Sequence, residues 1–279
     1  MEHNYDVIVI GAGHNGLVTA AYLARAGRKV LVLERRPVVG GGAVTEEVFP
    51  GFKFDTAAHH AHLHPTIVRD LDLARHGLET MSGETTLFAP APGGRNLVLS
   101  SDLLKSVEAI RPFSNADAAR WPAFSALLAK VARFLARIET GPIPSPLTHK
   151  PGELLGLAQI AFAARGLGRK DMIEALRLLP MSVAELLNDW FETDALKGAV
   201  GALGVRGLNQ GPRASGTAYN LLHQIASAHG AIVANGRVRG GIGGVTTALA
   251  AAAKERGAEI RMSAEVTRIL VTDGRATGV

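Results

Sequence analysis

The sequence predicts an α/β fold of the Rossmann-like type that is interrupted by a long, mostly helical insertion. Residues 6–33 carry the pattern strand, glycine loop, helix, strand. Helical periodicity dominates from 65 to 235, and the α/β pattern resumes after that. At roughly 150 residues per domain, 279 residues leave room for about two domains. We therefore expect one domain from 1–64 together with 236–279 and a second from 65–235.

The elements of the first domain are predicted from short local patterns. Apolar runs at 6–10 and 29–33 indicate two strands, and the small residues at 17–26 indicate the helix between them, which Gly27 ends. Near the other end, an Ala-rich helix is expected to run to about Arg256. Strands are expected at 259–262 and 266–271, and Asp273-Gly274 predicts a hairpin turn after the last of these.

Composition excludes several classes of protein. The chain has no cysteine, so disulfides, thiolate metal sites and thiol nucleophiles are excluded, and redox chemistry would need a bound cofactor. The net charge of +5 comes without a run of five basic residues, which argues against a nucleic acid partner. No stretch approaches 18 uncharged apolar residues, and a strand pattern begins at residue 6. We expect a cytoplasmic chain.

The glycine loop is the most informative motif. Gly11-Ala12-Gly13-His14-Asn15-Gly16 matches the GxGxxG pattern after a strand and at the start of a helix, where backbone N–H groups can face a pyrophosphate. Glu34 ends the second strand, and a carboxylate there can accept hydrogen bonds from ribose hydroxyls. A tight turn alone would explain the glycines but not Glu34. The motif predicts dinucleotide binding and does not by itself distinguish NAD from FAD.

Segments after the glycine loop indicate which of these two cofactors is bound. The segments 34–45 (ERRPVVGGGAVT) and 51–55 (GFKFD) are followed much later by 216–223 (GTAYNLLH) and 239–243 (RGGIG). Here the chain resembles the flavoprotein superfamily of amine oxidases and phytoene desaturases, with the phytoene-desaturase-like oxidoreductases as the nearer likeness. The resemblance implies a Rossmann-like FAD-binding domain of the glutathione-reductase-2 type, with FAD as cofactor and an inserted helical substrate domain.

The resemblance also implies which residues contact FAD. The first glycine loop would face the pyrophosphate, Glu34 the adenosine ribose, Arg35 the adenine, and Gly41 and Gly42 the pyrophosphate and ribityl chain. The backbone of Val266 would hold the adenine. The full expected set is Gly11, Ala12, Gly13, Asn15, Gly16, Glu34, Arg35, Gly40, Gly41, Gly42 and Val266.

The implied function is an FAD-dependent oxidoreductase that passes hydride from a small apolar substrate to the flavin. Amine oxidation is a weaker alternative, because amine oxidases usually carry Arg where Gly42 stands. The resemblance further implies a missing C-terminal half. The alternative therefore remains that the chain is a non-catalytic FAD-binding fragment or an interaction subunit that needs a partner chain. The strand at the end of the sequence would then leave an unpaired edge through which copies or a partner associate.

Two groups of polar residues are weaker candidates for a metal site or for catalysis. His59, His60, His62 and His64 cluster before Pro65, but no acidic residue follows to complete a ligand set, so we expect no metal. Tyr219 and His223 share one face of a predicted helix, where an acid or base could sit, although packing at a domain seam explains them better. Catalytic residues stay unassigned.

The region from Lys130 to Lys170 is basic, with seven Lys or Arg against two Glu. Its apolar positions between 123 and 138 recur at helical spacing, with Lys130, Arg133 and Arg137 opposite, and a short apolar stretch follows at 154–164. This pattern is compatible with peripheral contact to an anionic membrane. It is explained better by apolar faces that pack inside the second domain while the charges are solvated.

Overall fold

A computed structural model describes residues 4–58, 63–81, 85–139, 145, 147, 149–227 and 237–279. The chain forms two compact units. The first comprises Met1–Ser82 and Gly236–Val279, and the second comprises Gly83–Asn235.

A parallel three-stranded sheet is the centre of the first unit. Strands β1 (Val7–Ile10), β2 (Val30–Leu33) and β9 (Glu259–Arg261) lie in the order β1-β2-β9. Val7 pairs with Val30, and Leu31 pairs with Glu259. Helices α1 (His14–Arg25) and α9 (Gly243–Glu255) pack against each other, and their small buried side chains permit that close approach. The predicted Rossmann-like α/β fold class is confirmed.

The boundary between the units differs from the prediction, because residues 65–82 belong to the first unit and not to the insertion. Helix α2 (Pro65–Asp70) is tied to α1 by a hydrogen bond of 3.1 Å from the Tyr22 hydroxyl to Asp70. Leu71, Leu73 and Leu78 are buried in the same core as α1. This burial is a long-range effect that helical periodicity alone does not reveal, and it moves the boundary from 64 to 82.

Short antiparallel pairs complete the first unit. The hairpin of β3 (Thr45–Phe49) and β4 (Phe52–Asp55) follows the second glycine loop, and β5 (Thr80–Met81) pairs with β8 (Arg237–Val238). At the end of the chain, β10 (Leu270–Thr272) pairs with β11 (Arg275–Gly278) around Asp273-Gly274, both with positive φ, as the turn motif predicts.

The strand predicted at 266–271 is shorter than expected. Residues 264–269 have no strand partner among the described residues, and pairing begins only at Leu270. Ser263 and Ala264 instead donate backbone hydrogen bonds to the carbonyls of Arg36 and Glu34. The segment after β9 therefore runs beside the residues that follow β2, and Val266 lies in irregular backbone.

The second unit is mainly helical and also contains a hairpin that the sequence prediction missed. The hairpin consists of β6 (Thr85–Pro90) and β7 (Asn96–Ser100). The helices are α3 (Leu103–Ile110), α4 (Asn115–Glu139), α5 (Pro151–Leu178), α6 (Val183–Trp190), α7 (Asp194–Gly204) and α8 (Thr217–Ser227). Leu97 and Leu99 of β7 are buried in the helical core, because alternate residues of the strand face it.

The apolar face of α4 lies inside this core. Phe124, Leu128 and Val131 are fully buried, and the ring of Phe124 packs edge-on against Phe191 at 4.8 Å between centroids. Lys130 forms an ion pair with Asp171 of α5 and donates to the Leu167 carbonyl at 2.8 Å. The α4 face is therefore used for internal packing.

Helix α5 differs from α4 because its first half stays exposed. Leu154, Leu155 and Phe162 are 48%, 66% and 79% exposed, and Arg165 and Arg169 follow on exposed positions. Gly168 has positive φ and interrupts the helix near its middle. Of the two apolar stretches in the basic region, only the one on α5 faces outward.

Candidate functional site

The first glycine loop connects β1 to α1 and leaves the start of the helix open. Gly13 is the N-cap of α1; it makes no side-chain cap, and no acidic residue lies in the first turn. The free N–H groups and the helix dipole therefore present positive potential to an anion. Gly11 has φ +96, and Gly16 packs so tightly that an added Cβ would lie 2.2 Å from the Gly11 carbonyl oxygen. These two glycines shape the turn.

The second glycine loop, residues 40–42, packs directly against the first. The Gly40 N–H donates to the Ala12 carbonyl at 2.9 Å, and Gly40 forms a parallel bridge with Gly13. A Cβ on Gly41 would lie 3.2 Å from the Gly13 Cα. Around Gly11 and Gly42, by contrast, an added Cβ would meet no heavy atom within 4 Å. The two loops thus expose backbone next to open space, which suits close approach of a pyrophosphate.

Glu34 lies at the end of β2 and is buried. One carboxylate oxygen accepts the Ala12 N–H at 2.8 Å, and the other accepts the Arg36 N–H at 2.9 Å. An ionised carboxylate offers about four lone-pair positions, so each oxygen retains capacity for a further donor. The geometry can hold the carboxylate beside the first glycine loop while it accepts hydrogen bonds from a ligand's hydroxyl groups.

The two arginines after Glu34 have different environments. Arg35, which the resemblance places at the adenine, is exposed. Arg36 was not among the expected residues, yet its guanidinium reaches the Gly41 carbonyl at 3.5 Å and forms an ion pair with Glu46. The Arg36 side chain therefore links the end of β2 to the second glycine loop, a contact that sequence spacing does not disclose.

The remaining expected residues fall around the same loops. Ala12 is buried, and Asn15 is exposed in the first turn of α1. Val266 is half-buried and lies two residues after Ala264, whose N–H donates to the Glu34 carbonyl at 2.8 Å. The structure thus brings the predicted set into one region of the first unit, at the ends of β1 and β2. Its contacts to a dinucleotide stay a prediction.

The structure describes the histidine cluster at 59–64 only in part. His59, His60 and His62 lie outside the described residues. His64 accepts a hydrogen bond of 3.3 Å from the Thr66 N–H and so caps α2. Within the described ranges, no three His, Cys, Asp or Glu side chains are grouped as metal ligands would be.

Tyr219 and His223 lie on α8 as the spacing predicts. Both side chains are exposed, and their rings are stacked with centroids 6.4 Å apart. Two adjacent exposed rings can contact a ligand, but the arrangement of this pair identifies no proton donor or acceptor. Catalytic residues therefore stay unassigned.

A cavity of about 670 Å³ lies in the second unit between α4, α5 and α6. Charged side chains dominate one wall, and several are paired with each other, including Lys130 with Asp171 and Arg177 with Asp189. This lining does not suit an apolar ligand.

Among the helices of the described residues, none is both long and apolar enough to cross a bilayer.

Comparison with known proteins agrees with this geometry. Residues 9–72 match the family model described as NAD(P)-binding Rossmann-like domain. Among solved structures, putrescine oxidase bound to putrescine superposes with a TM-score of 0.57 at 18% identity, over 93% of this chain and 51% of that chain. An oxidoreductase from Methanosarcina mazei gives 0.55 at 18%, over 96% and 54%. At these identities the likeness shows the fold.

The matches to three curated relatives cover nearly the whole chain. Pyridine nucleotide-disulfide oxidoreductase domain-containing protein 2 of Rattus norvegicus is 34% identical over 100% of this chain and 51% of its own length. A limonene dehydrogenase subunit of Castellaniella defragrans is 34% identical over 98% and 47%. Hydroxyneurosporene desaturase of Cereibacter sphaeroides is 29% identical over 98% and 52%. The chain spans about half the length of these relatives. It carries a Rossmann-like dinucleotide-binding domain and is homologous to pyridine nucleotide-disulfide oxidoreductase domain-containing protein 2 and to the phytoene and hydroxyneurosporene desaturases.

Proposed function

We propose that the chain binds FAD in its first unit and forms the flavin-binding part of an oxidoreductase that takes hydride from an apolar substrate. The observation that carries dinucleotide binding is the position of the Glu34 carboxylate, fixed by the Ala12 and Arg36 N–H groups beside the two adjacent glycine loops. A carboxylate at this place favours unphosphorylated ribose and repels a 2′-phosphate. This argues against NADP. The preference for FAD over NAD rests on the resemblance of segments 34–45 and 51–55 to the flavoprotein superfamily.

The residues of the two loops fit an extended dinucleotide. The open N-terminus of α1 would take the pyrophosphate, because its N–H groups lack side-chain caps. A Cβ on Gly41 would lie 3.2 Å from the Gly13 Cα, so a side chain there would crowd the first loop, while Gly42 leaves open space beside it. Glu34 would orient the adenosine through its ribose hydroxyls. These residues would bind and orient the dinucleotide. Hydride transfer would further require protein that covers the flavin ring system and excludes water from it.

The chemistry would belong to the cofactor, since bound FAD accepts hydride at its ring system. Support for an apolar substrate comes from the names of relatives, which include hydroxyneurosporene desaturase, phytoene dehydrogenase and the limonene dehydrogenase subunit. Gly42, in place of the arginine usual in amine oxidases, makes amine oxidation the weaker alternative.

Absorption spectroscopy and titration test the cofactor assignment. The purified protein is expected to show flavin bands, or to quench FAD fluorescence with a stoichiometry of one, and to bind NAD and NADP far more weakly. Titration of the three dinucleotides under identical conditions provides the comparison. Tighter binding of NAD than of FAD would contradict the proposal and favour a nicotinamide-dependent enzyme.

A second candidate function is that of an FAD-binding subunit that is catalytic only with a partner chain. Two observations favour it: one relative is named as a subunit, and the β3–β4 hairpin leaves Phe49, Phe52 and Phe54 more than half exposed. Large exposed aromatic groups mark contact surfaces. Turnover of a polyene by the isolated chain with FAD and an artificial electron acceptor would contradict this second candidate.

A further inference from the structure

A hydrogen-bonded pair, Thr45 and Asp55, lies where the second glycine loop meets α9. The two residues are direct cross-strand partners in the β3–β4 hairpin, and the Thr45 hydroxyl donates to Asp55 Oδ1 at 2.6 Å. Thr45 comes three residues after Gly42, so any movement of this pair is transmitted to the loop through only Ala43 and Val44, both buried.

The pair caps α9 from outside the helix. Ile242 is the N-cap residue and has no side chain that can accept a hydrogen bond. Its N–H donates to Asp55 Oδ1 at 3.0 Å, and the Gly243 N–H donates to the Thr45 hydroxyl oxygen at 2.9 Å. These bonds satisfy N–H groups that would otherwise lack partners, and the carboxylate stands at the positive end of the helix dipole.

The backbone at this junction is closely packed. A Cβ on Gly241 would lie 2.3 Å from the Thr45 hydroxyl oxygen, and a Cβ on Gly243 would lie 2.8 Å from the Thr45 N. One turn further along α9, the buried Thr246 hydroxyl donates to the Ala43 carbonyl at 2.9 Å. The N-terminal part of α9 therefore contacts the segment after the second glycine loop at two separate points, Thr45 and Ala43.

From these contacts we infer that Asp55, acting with Thr45, is a positioning residue that holds Gly40–Gly42 in place over Gly13 by anchoring that loop to the N-terminus of α9. The inference deepens the proposed function, because it names what keeps the proposed dinucleotide loops in register. Asp55 acts through the loop and need not touch the ligand. The sequence distance between the partners, nearly 190 residues, explains why motif spacing alone does not show the contact.

The first test requires no ligand. In Asp55→Asn, amide hydrogen exchange at Ile242, Gly243 and Gly40 should accelerate about tenfold relative to wild type, the effect of weakening a hydrogen bond to a charged group. Gly40 is the decisive position, because its N–H bonds to Ala12 and not to Asp55. Unchanged exchange at Gly40 would overturn the inference whether or not FAD is the cofactor.

The second test measures FAD affinity in matched variants. Thr45→Val and Asp55→Asn should each weaken FAD about tenfold, whereas Thr45→Ser, which keeps the hydroxyl, should stay within about twofold of wild type. Ser182→Ala is the control, because it removes the capping box of α6 in the other unit and should lower the melting temperature without changing FAD affinity. Equal FAD affinity in Thr45→Val and Thr45→Ser would contradict the inference. Absence of FAD binding by wild type would contradict the proposed function, and the exchange test would still decide the role of Asp55.

Discussion

The carboxylate of Glu34 accepts the backbone N–H of Ala12 at 2.8 Å, so the end of β2 is joined to the turn that precedes α1. Glu34 thus has a structural partner at the same place where it would meet a ribose. Loss of its charge should affect both the fold of the first unit and ligand binding.

We predict that Glu34→Gln weakens FAD binding and lowers the stability of the first unit by about 1–3 kcal/mol, because a buried N–H loses a charged acceptor. Calorimetric titration with FAD and urea unfolding measure the two effects. Glu79→Gln is the control, since the Glu79 side chain is 65% exposed and its carboxylate forms an exposed ion pair with Arg239. FAD affinity that is the same in both variants would refute the assigned role of Glu34.

Two alanine substitutions at glycines should affect stability to very different extents. Gly16 lies in α1, where helix propensity alone would favour alanine by up to about 1 kcal/mol. The 2.2 Å approach to the Gly11 carbonyl oxygen should outweigh this, so Gly16→Ala is expected to destabilise by about 3 kcal/mol. Gly42→Ala meets no neighbouring atom and should stay within about 0.5 kcal/mol of wild type. Urea unfolding of both variants checks the contrast, and equal stability would show that the loop relaxes around the new methyl group.

The second unit should lose stability in acid through Asp117. This buried carboxylate on α4 accepts the N–H groups of Glu192 and Thr193 at 2.9 and 3.0 Å, just before α7. Burial alone would raise its pKa, but hydrogen bonds from Thr193 and Glu192, with help from Arg120, lower the pKa below its ordinary value. The ionised group therefore stabilises the fold above the unfolded-state pKa, and this is lost as pH falls through the lower folded-state pKa.

Asp117→Asn should accordingly cost about 1–3 kcal/mol at neutral pH, and the difference from wild type should shrink below about pH 4. Urea unfolding from pH 7 to pH 3 measures this dependence. Glu108→Gln, at an exposed position of α3, is the control and should show no comparable loss at neutral pH. A difference that persists unchanged in acid would mean that shape, and not charge, makes Asp117 important.

We propose that any contact with an anionic membrane uses α5, because the apolar face of α4 is buried. Phe162→Ser and the pair Arg165→Gln with Arg169→Gln should each reduce sedimentation with anionic vesicles, at about 1 kcal/mol per cation near the surface, and high salt should release the protein. Phe88→Ser is the control, since Phe88 is an exposed ring on β6. Negligible binding of wild type to anionic and neutral vesicles alike would leave α5 without this role.

The C-terminal hairpin should promote self-association or contact with a partner. Ile269 and Val271 are 52% and 62% exposed, and among the described residues β10 and β11 pair only with each other. Val271→Lys should shift the protein toward monomer in sedimentation velocity experiments. Leu104→Lys on α3 tests whether a lysine at any exposed apolar position has the same effect, since Leu104 is 71% exposed. A wild-type protein that is monomeric at high concentration would contradict self-association through this hairpin.

The sequence alone determined the β-α-β pattern, both glycine loops and the position of Glu34 at a strand end. These follow from local periodicity, from the conformations that only glycine adopts, and from fixed spacing over about 40 residues. The same local rules located α9 and the hairpin turn at Asp273-Gly274.

The tertiary structure decided which polar groups meet. It showed that Arg36 reaches Gly41, that Asp55 caps a helix nearly 190 residues away, and that Leu71 and Leu73 place residues 65–82 in the first unit. It also showed that the apolar face of α4 is internal, whereas the apolar residues in the first half of α5 are exposed. Hydrophobic patterns state that a face is apolar, but only the folded chain determines what covers that face, because burial depends on contacts between segments that are distant in sequence.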